Sequence, residues 1–450
     1  MTSASVEEAA MDPETTPPWQ AEVHHLLVSG RIEAASQALS TYLADHPRDV
    51  GALRQMARIA AHQGRPAQAR DLLEEAAGID PAAGGIDYEL GVVHLALCAW
   101  GAAIGRFESA LTRRSDDADA WFNLAWALRR AGRPAEAEAP LRRALGLRPT
   151  WTAAWFNLGN LLLDDLDAPQ AAAAAYGTAL EQAPDSPDTV SNLAMAEWRL
   201  GRPDEAEALL RRALALQPDC VAAATNLGNL LTAQTRGDEA VAVFTAAIAR
   251  APADPVPRLN LGLVLRALYR MKEAAEVLVE ASRLAPDRAE IWNALGAVRL
   301  QREEMDAAAD ALYRAVALRP DYADAQANLA NLASAQARPE EALAAFRTAR
   351  ALAPHDTRIH SNMLFFLIHG GCLGRDEVIE EHRRFGREHE AAIAALPPRS
   401  ADTTSGRRLR VGYVSPDFCD HALTFWFEPV LELHDRQRFE VFCYACGPRR

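Results

Sequence analysis

Prolines recur along most of this chain at a nearly fixed interval, and that interval limits the folds the chain can adopt. Successive prolines lie 34 residues apart, except for one step of 35 and one double step in which Ser115 takes the missing place. They are Pro47, Pro81, Pro149, Pro184, Pro218, Pro252, Pro286, Pro320 and Pro354. A fixed period of roughly 20–50 residues indicates a repeat array, in which each unit contacts only its neighbours.

Other positions keep the same period and identify the repeating unit. A leucine followed by glycine or alanine stands seven to eight residues into each unit, as at Leu90-Gly91 and Leu227-Gly228. We expect the leucine to fill the core and the small residue to let the paired helix approach. Turns such as Gly64-Arg65-Pro66 predict a left-handed helix cap followed by a proline in the next helix. This period and pattern are those of the tetratricopeptide repeat, a helix–turn–helix unit.

The fold class predicted is therefore mainly α, a right-handed tetratricopeptide-repeat superhelix followed by a truncated α/β segment. We predict about ten repeats over 16–356, the first of them degenerate, after a disordered N-terminus at 1–15. Capping or transition helices are expected over 357–396 and a linker rich in proline, serine and threonine over 397–408. Residues 409–450 lose the helical period and are predicted to begin a second domain.

Charge and cysteine content exclude several classes of partner. The formal net charge of −14 argues against binding to nucleic acid or to an anionic membrane surface. The start of the chain lacks the pattern of a signal peptide, and no apolar run is long enough to span a membrane. Six scattered cysteines suit a reducing compartment, so a cytoplasmic location is expected.

One pair of cysteines has the spacing of a metal or redox motif. Cys443 and Cys446 form a C-x-x-C, but a single pair with no second pair is weak evidence for zinc. We expect Cys443 to be a buried strand residue instead, and we predict no metal site and no cofactor other than a sugar-nucleotide donor.

Asparagine recurs at one position of the repeat where helix packing does not require a polar residue. This asparagine series comprises Asn123, Asn157, Asn192, Asn226, Asn260, Asn328 and Asn362. Three more asparagines follow one helical turn later, namely Asn160, Asn229 and Asn331. An amide offers both donors and an acceptor, so the series could hold the backbone of an extended protein substrate in the concave groove. The alternative is that these asparagines form hydrogen bonds between repeats.

The segment after the linker has the composition of a βαβ unit. Residues 409–415 and 439–445 predict two parallel strands, and the apolar run 423–433 predicts a buried crossover helix. Ligands bind beyond the carboxyl ends of such strands. The turn after the first strand places His421 there, beside Asp417 and Asp420. His421 is a candidate functional residue, the alternatives being a helix-capping or a solvent-facing histidine.

Repeats followed by the motif GYVSPDFCDH at 412–421 resemble the protein O-GlcNAc transferase and Spindly family. That resemblance implies a two-lobed glycosyltransferase of the GT-B type, which transfers a sugar to serine or threonine hydroxyls of proteins. His421 matches the family's active-site histidine, as a general base or as an orienting group. The expected donor is UDP-N-acetylglucosamine. Phe425 stands where members that use this donor often carry a second histidine, so GDP-fucose is the alternative donor.

The resemblance also implies that most of the catalytic region lies beyond residue 450, since the donor nucleotide is held mainly by the second lobe. The 450 residues are therefore expected to transfer no sugar by themselves. The competing interpretation is a non-catalytic peptide-binding scaffold. The oligomeric state is left open.

Overall fold

The computed structural model describes residues 18–390, 408–415, 427 and 430–445. The predictions for 1–15 and for the linker at 397–407 lie outside the described residues. The chain divides into two compact units, Met1–Asn226 and Leu227–Arg450, and each is described by itself. None of the described helices is long and apolar enough to cross a membrane.

The first unit is built from helix pairs in chain order. Its helices are α1 (Pro18–Val28), α2 (Ile32–Asp45), α3 (Val50–His62), α4 (Pro66–Ile79), α5 (Ile86–Ala96), α6 (Trp100–Arg113), α7 (Ala118–Arg130), α8 (Pro134–Leu147), α9 (Thr152–Asn160), α10 (Pro169–Gln182), α11 (Pro187–Arg199) and α12 (Pro203–Leu216). Helix α13 (Val221–Ala233) contains the boundary between the units.

The second unit continues the same alternation and ends in two strands. Its further elements are α14 (Gly237–Arg250), α15 (Pro255–Ala267), α16 (Met271–Leu284), α17 (Ala289–Gln301), α18 (Met305–Leu318), α19 (Ala323–Ala335), α20 (Pro339–Leu352), α21 (Thr357–Gly370), α22 (Arg375–Glu390), β1 (Leu409–Ser415) and β2 (Phe439–Ala445). The predicted fold class, tetratricopeptide helix pairs followed by a short α/β piece, is confirmed.

The small residue after each core leucine permits the two helices of a pair to touch. A Cβ atom placed on Gly91 would lie 2.6 Å from the fully buried ring of Phe107 on the partner helix. In the second unit a Cβ on Gly296 would lie 2.6 Å from Leu312. A real side chain cannot occupy either place without displacing the core residue, so the Leu-Gly pattern sets the distance between paired helices.

The turns within the pairs take the predicted left-handed conformation. Gly64, Gly132 and Gly201 have φ angles of 72°, 75° and 76°, and a proline begins the next helix in each case. The one unit of 35 residues absorbs its extra residue in a π-helical turn, Leu161–Asp165, which directly continues α9. Inserting one residue into an α-helix is a common origin of such a turn.

Tryptophans at one repeat position hold the loops between repeats. The indole Nε1 atoms of Trp121 and Trp155 donate to the carbonyls of Ser115 and Pro149, at 2.9 and 2.8 Å. In the second unit Trp292 donates to Pro286 in the same way, at 2.9 Å. The acceptor lies at or beside the periodic proline position, so the bond fixes the start of the repeat against its own first helix.

The two strands pair in parallel, with Leu409 opposite Phe439 and Ser415 opposite Ala445. Two predictions for this segment are wrong in the described residues. Val430 and Leu433 of the predicted buried crossover are 45% and 85% exposed, and Cys443 is exposed rather than buried. A sheet of two strands has few layers to cover it, so apolar residues that would be buried in a larger sheet stay at the surface.

Candidate functional site

The asparagine series lies on the first helix of seven helix pairs. Its members stand on α7, α9, α11, α13, α15, α19 and α21, one residue on each helix. All are half-buried except Asn362, which is exposed. Among the three additional asparagines, Asn160 and Asn331 are half-buried and Asn229 is exposed. Residues at this depth can bond to the protein with one atom and face solvent with another.

Within the first unit, the amide nitrogens of the series bond to the preceding repeat. Asn123 Nδ2 donates to the hydroxyl of Tyr88 at 3.2 Å, and Asn226 Nδ2 donates to Ser191 Oγ at 3.2 Å. In both cases the acceptor lies 35 residues earlier in the chain. Asn157 differs, because its Nδ2 donates to the carbonyl of Ala153 in its own helix, at 2.7 Å.

Asn160 is a shared acceptor in the same unit. Its Oδ1 accepts from Asn192 Nδ2 at 2.8 Å and from the hydroxyl of Tyr176 at 2.7 Å. Burial raises the pKa of the Tyr176 phenol, which keeps that hydroxyl protonated and able to donate. The carbonyl of Asn160 is therefore fully used inside the repeats.

The second unit repeats the arrangement with a different acceptor. Asn328 Nδ2 donates to Asn293 Oδ1 at 2.8 Å, and this acceptor is again 35 residues earlier. Asn293 Nδ2 in turn lies 3.4 Å from the hydroxyl of Tyr322. These bonds show that asparagine contributes to contacts between repeats, which was one of the two interpretations of the sequence. Each such bond uses one N–H of the donor amide and does not involve the carbonyl oxygen of that amide.

A charged residue replaces asparagine in the third helix pair of the first unit, α5 and α6. Glu89 occupies the position 34 residues before Asn123, and its carboxylate accepts from Arg54 Nε at 2.9 Å and from Arg58 Nε at 2.9 Å. These three side chains line a cavity of about 920 Å³ together with Tyr88 and Asp119. An extended chain that passed this repeat would meet paired charges instead of an amide.

Amides lie beside an aromatic ring where α21, the first capping helix, follows the last repeat. Asn331, Asn362, Phe365 and His369 line a cavity of about 600 Å³. Phe365 is among the most exposed large apolar side chains of the described chain, at 69%. The surface here combines hydrogen-bonding groups for a peptide backbone with an apolar contact for a side chain.

In the strand segment, the described residues form an aromatic cluster at β1. The Tyr413 hydroxyl lies 2.7 Å from His434 Nε2, and the edge of Phe427 packs on the Tyr413 ring with centroids 4.9 Å apart. The predicted catalytic residue His421, with its neighbours Asp417 and Asp420, lies outside the described residues. Its position in the chain still follows β1 by six residues.

A polar cluster that the sequence did not reveal joins α20, α21 and α22. Arg350 donates to both carboxylate oxygens of Glu388 at 2.8 Å. His360, fully buried, lies with its Nδ1 3.3 Å from His389 Nε2 and 3.8 Å from Glu388 Oε2. His360 and His389 stand 29 residues apart on two helices, so no short motif signals their contact.

Comparison with known proteins matches both parts of the chain. Models of the tetratricopeptide repeat match residues 21–84, 88–150, 191–255, 231–298 and 299–363. The model described as glycosyl transferase family 41 matches residues 352–449, which include α21, α22 and both strands. The chain is a tetratricopeptide-repeat protein of the family 41 glycosyltransferase type.

Curated relatives of this family 41-type protein match over short segments. The Caenorhabditis elegans protein named UDP-N-acetylglucosamine--peptide N-acetylglucosaminyltransferase is 37% identical over 91 residues, which are 19% of this chain and 8% of that protein. The Arabidopsis thaliana protein named "Probable UDP-N-acetylglucosamine--peptide N-acetylglucosaminyltransferase SEC" is 42% identical over 62 residues, 14% of this chain and 6% of that protein. The matched region spans less than a tenth of either relative.

Among solved structures, a mutant of the O-GlcNAc transferase of Thermobaculum terrenum is 28% identical to this family 41-type protein. The likeness covers 44% of this chain and 38% of that chain, with a TM-score of 0.38. The tetratricopeptide protein TTC0263 of Thermus thermophilus is 27% identical over 41% of this chain and 100% of that chain, with a TM-score of 0.37.

Proposed function

We propose that this chain belongs to a protein O-glycosyltransferase that transfers N-acetylglucosamine from UDP-N-acetylglucosamine to serine and threonine hydroxyls. The observation that carries the proposal is the joining, in one chain, of tetratricopeptide repeats to a family 41 segment at residues 352–449. The names of the two curated relatives support this donor and a peptide acceptor. The six scattered cysteines suit a reducing compartment, which supports action in the cytoplasm.

The repeats are proposed to capture protein substrates in extended conformation. In each unit the series donates its Nδ2 atoms to neighbouring residues, as Asn226 does to Ser191 and Asn328 does to Asn293. The carbonyl oxygens of Asn226 and Asn328 take no part in these bonds, and we propose that they accept from the backbone N–H groups of a bound peptide. Recognition through the backbone would admit substrates of many sequences, as β-augmentation does at sheet edges.

His421 is proposed to act at the sugar-transfer step. The acceptor hydroxyl forms a bond to the anomeric carbon as the bond to the nucleotide diphosphate breaks, and the hydroxyl proton must leave. An imidazole with a pKa near 6.5 can accept that proton at neutral pH, or it can orient the donor without taking it. Either role is supported by the order of the sequence, because His421 follows β1 by six residues and ligands bind beyond the carboxyl ends of parallel strands.

Phe425 favours a second donor. It stands four residues after His421, where a second histidine would accompany N-acetylglucosamine transfer according to the family resemblance. Since a phenylalanine side chain offers no polar atom to a donor, fucose transfer from GDP-fucose is the alternative activity.

Labelled donors distinguish these functions. The product of the natural gene is incubated with an acceptor protein and either labelled UDP-N-acetylglucosamine or labelled GDP-fucose, and incorporation into serine or threonine is measured. Label from the first donor alone supports the proposal, and label from the second alone selects the fucosyltransferase. Incorporation from neither donor, with retained peptide binding, would identify a non-catalytic scaffold.

The His421→Ala variant tests the assignment of this residue. We expect turnover to fall by about two to four orders of magnitude, the usual range for a positioned acid–base or electrostatic group. Loss of a base removes the acidic limb of the pH–rate profile, whereas loss of an orienting contact mainly raises the donor KM. Near-normal turnover in the variant would contradict both roles.

A further inference from the structure

The cluster of His360, Glu388 and His389 has the composition of a metal site. We propose that it binds one divalent transition-metal ion of the zinc class, with His360 Nδ1, His389 Nε2 and one oxygen of Glu388 as ligands. These three ligand atoms all lie within 4.8 Å of one another, and they come from two helices, α21 and α22. The proposal is independent of the sugar transfer proposed above.

The spacing of the two imidazoles fits a single ion. Zinc binds histidine nitrogens at about 2.0–2.1 Å in tetrahedral geometry, which puts two such nitrogens about 3.3 Å apart. His360 Nδ1 and His389 Nε2 are 3.3 Å apart. The nearer oxygen of Glu388 is 3.8 Å from His360 Nδ1, so a small movement of an exposed side chain completes three ligands. Two histidines and one carboxylate form a common donor set for zinc with an open fourth position.

The repeat pattern does not explain why a histidine is buried at position 360. The equivalent position is half-buried in five earlier repeats, where it holds tryptophan, arginine or glutamine, as at Trp292 and Gln326. Where it is buried, at Val190 and Ala224, the residue is apolar. Burying an imidazole in place of an apolar side chain costs free energy unless its nitrogens find partners. Coordination of an ion by Nδ1 would offset part of that cost.

Arg350 is placed to orient the carboxylate ligand. Its Nη2 atom lies 2.8 Å from both oxygens of Glu388. Arg350 can therefore keep its hydrogen bond to one oxygen while the other oxygen binds the ion. Ligating carboxylates are commonly held by such outer hydrogen bonds. Arg350 and Arg384 also contact Glu381, at 3.4 and 2.9 Å. The positive charges of the two arginines therefore neutralise the negative charges of Glu381 and Glu388 before any ion binds.

The other nitrogen of His360 limits the affinity. His360 Nε2 is buried and has no hydrogen-bond partner in the described part of the chain. The ring is instead positioned by the edge contact with Phe385, with centroids 4.9 Å apart. Since zinc-binding histidines usually donate their second N–H to an acceptor, we expect weaker binding than at a closed structural zinc site.

Binding of the metal ion would link α22 to α21, two helices of the segment that matches family 41. An ion that binds the folded chain and not the unfolded chain raises the stability of the fold in proportion to the logarithm of its concentration. The expected consequence is a higher melting temperature in the presence of zinc.

The test uses the full chain, freed of metal with a chelator and titrated with Zn²⁺ against a chromophoric competitor. We expect one equivalent to bind and the melting temperature to rise. His389→Ala and Glu388→Gln should each weaken binding by about tenfold or more, the range seen when even an outer partner of a metal ligand is lost. Both replaced residues lie at the surface side of the cluster, so these variants are expected to fold.

His382→Ala is the matched control on the same helix. Its imidazole bonds to the carbonyl of Val378 within α22 and is not part of the cluster, so the variant should bind zinc as the parent does. Co²⁺ in place of zinc should give the intense visible absorption of a tetrahedral site in the parent and in His382→Ala only. Equal zinc affinity in the parent and in His389→Ala, or an equal loss in His382→Ala, would overturn the proposal and leave adventitious binding to surface histidines.

Discussion

At the scale of single residues, we propose that asparagines such as Asn226 have two roles, one in contacts between repeats and one in peptide binding. The amide nitrogen of Asn226 bonds to Ser191 in the repeat before it, and that of Asn123 bonds to Tyr88. The carbonyl oxygen takes no part in these bonds and is proposed to accept from a bound peptide. The two roles can therefore be separated by replacing either the asparagine or its partner.

Asn226→Ala and Ser191→Ala form a matched pair for this purpose. Each variant loses the same bond between repeats, so each should lower the free energy of unfolding by roughly 0.5–1.5 kcal/mol. Only Asn226→Ala also removes the side-chain carbonyl oxygen Oδ1. This variant should therefore weaken the binding of an extended peptide by about two- to tenfold. Calorimetry measures the stability, and fluorescence anisotropy with a labelled peptide measures the affinity. Equal peptide affinity in both variants would make the series purely structural.

At the scale of one helix, Asp49 is the cap that begins α3. Its Oδ1 accepts from the backbone N–H of Ala52 at 3.0 Å, and its Oδ2 accepts from the Tyr42 hydroxyl at 3.0 Å and from the Trp19 indole at 3.3 Å. Burial raises the pKa of the Asp49 carboxyl, but these hydrogen bonds outweigh burial and hold that pKa below its usual value. The cap thus joins the first helix pair to the second.

The sign of this pKa shift predicts how stability changes with acid. The pKa of the Asp49 carboxyl in the folded chain lies below its unfolded value of about 3.9. The ionised carboxylate therefore stabilises the fold fully above about pH 3.9, and this stabilisation is lost as the pH falls through the folded pKa. Asp49→Asn keeps a good capping oxygen without the titration. The melting temperature of the parent should therefore fall more steeply than that of Asp49→Asn below about pH 4.

Asp49→Ala, which removes the cap, should lower the free energy of unfolding by about 1 kcal/mol at neutral pH. Parallel melting curves for parent and Asp49→Asn in acid would show that the carboxylate charge contributes nothing.

Helices and their turns could be predicted from the sequence because the signals are local. The proline at the start of α8, the glycine at Gly132 and the leucines of the cores act within one or two turns of chain. Hydrogen-bond partners could not be predicted, since Ser191 and Asn226 lie 35 residues apart and meet only once the repeats stack. The contact of His360 with His389 depends in the same way on how α22 packs. The exposure of Leu433 likewise depends on tertiary packing and not on its local sequence.

At the scale of the whole molecule, each unit is a series of helix pairs that contact mainly their neighbours in the chain. Each helix contacts its partner and the neighbouring pair, as α5 contacts α6 and α7. Stability is then a sum of terms for single repeats and for the contacts between neighbours, and a local change is felt locally. This is also why periodicity alone could predict the fold class, since no long-range pairing has to be guessed.

Two glycines of one helix pair test this locality. A Cβ on Gly91 would lie 2.6 Å from the Phe107 ring, whereas a Cβ on Gly105 of α6 would have no atom within 4 Å. Gly91→Ala should therefore destabilise the first unit by roughly 1–3 kcal/mol, through displacement of a packed core ring. Gly105→Ala should stabilise it by roughly 0.5–1 kcal/mol, because alanine favours a helix more than glycine does.

Hydrogen exchange then locates the effect of the two substitutions. In Gly91→Ala, amide exchange should accelerate in α5 and α6 and in the adjoining α4 and α7, whose packing includes the displaced ring or its neighbours. Exchange in α19 and α20 should stay at the parent rate, because the substitution alters neither the stability of that repeat nor its contacts with the neighbouring repeats. Exchange that accelerated equally in all repeats would mean that the array unfolds as one cooperative body, and the repeat-by-repeat account of its stability would be wrong.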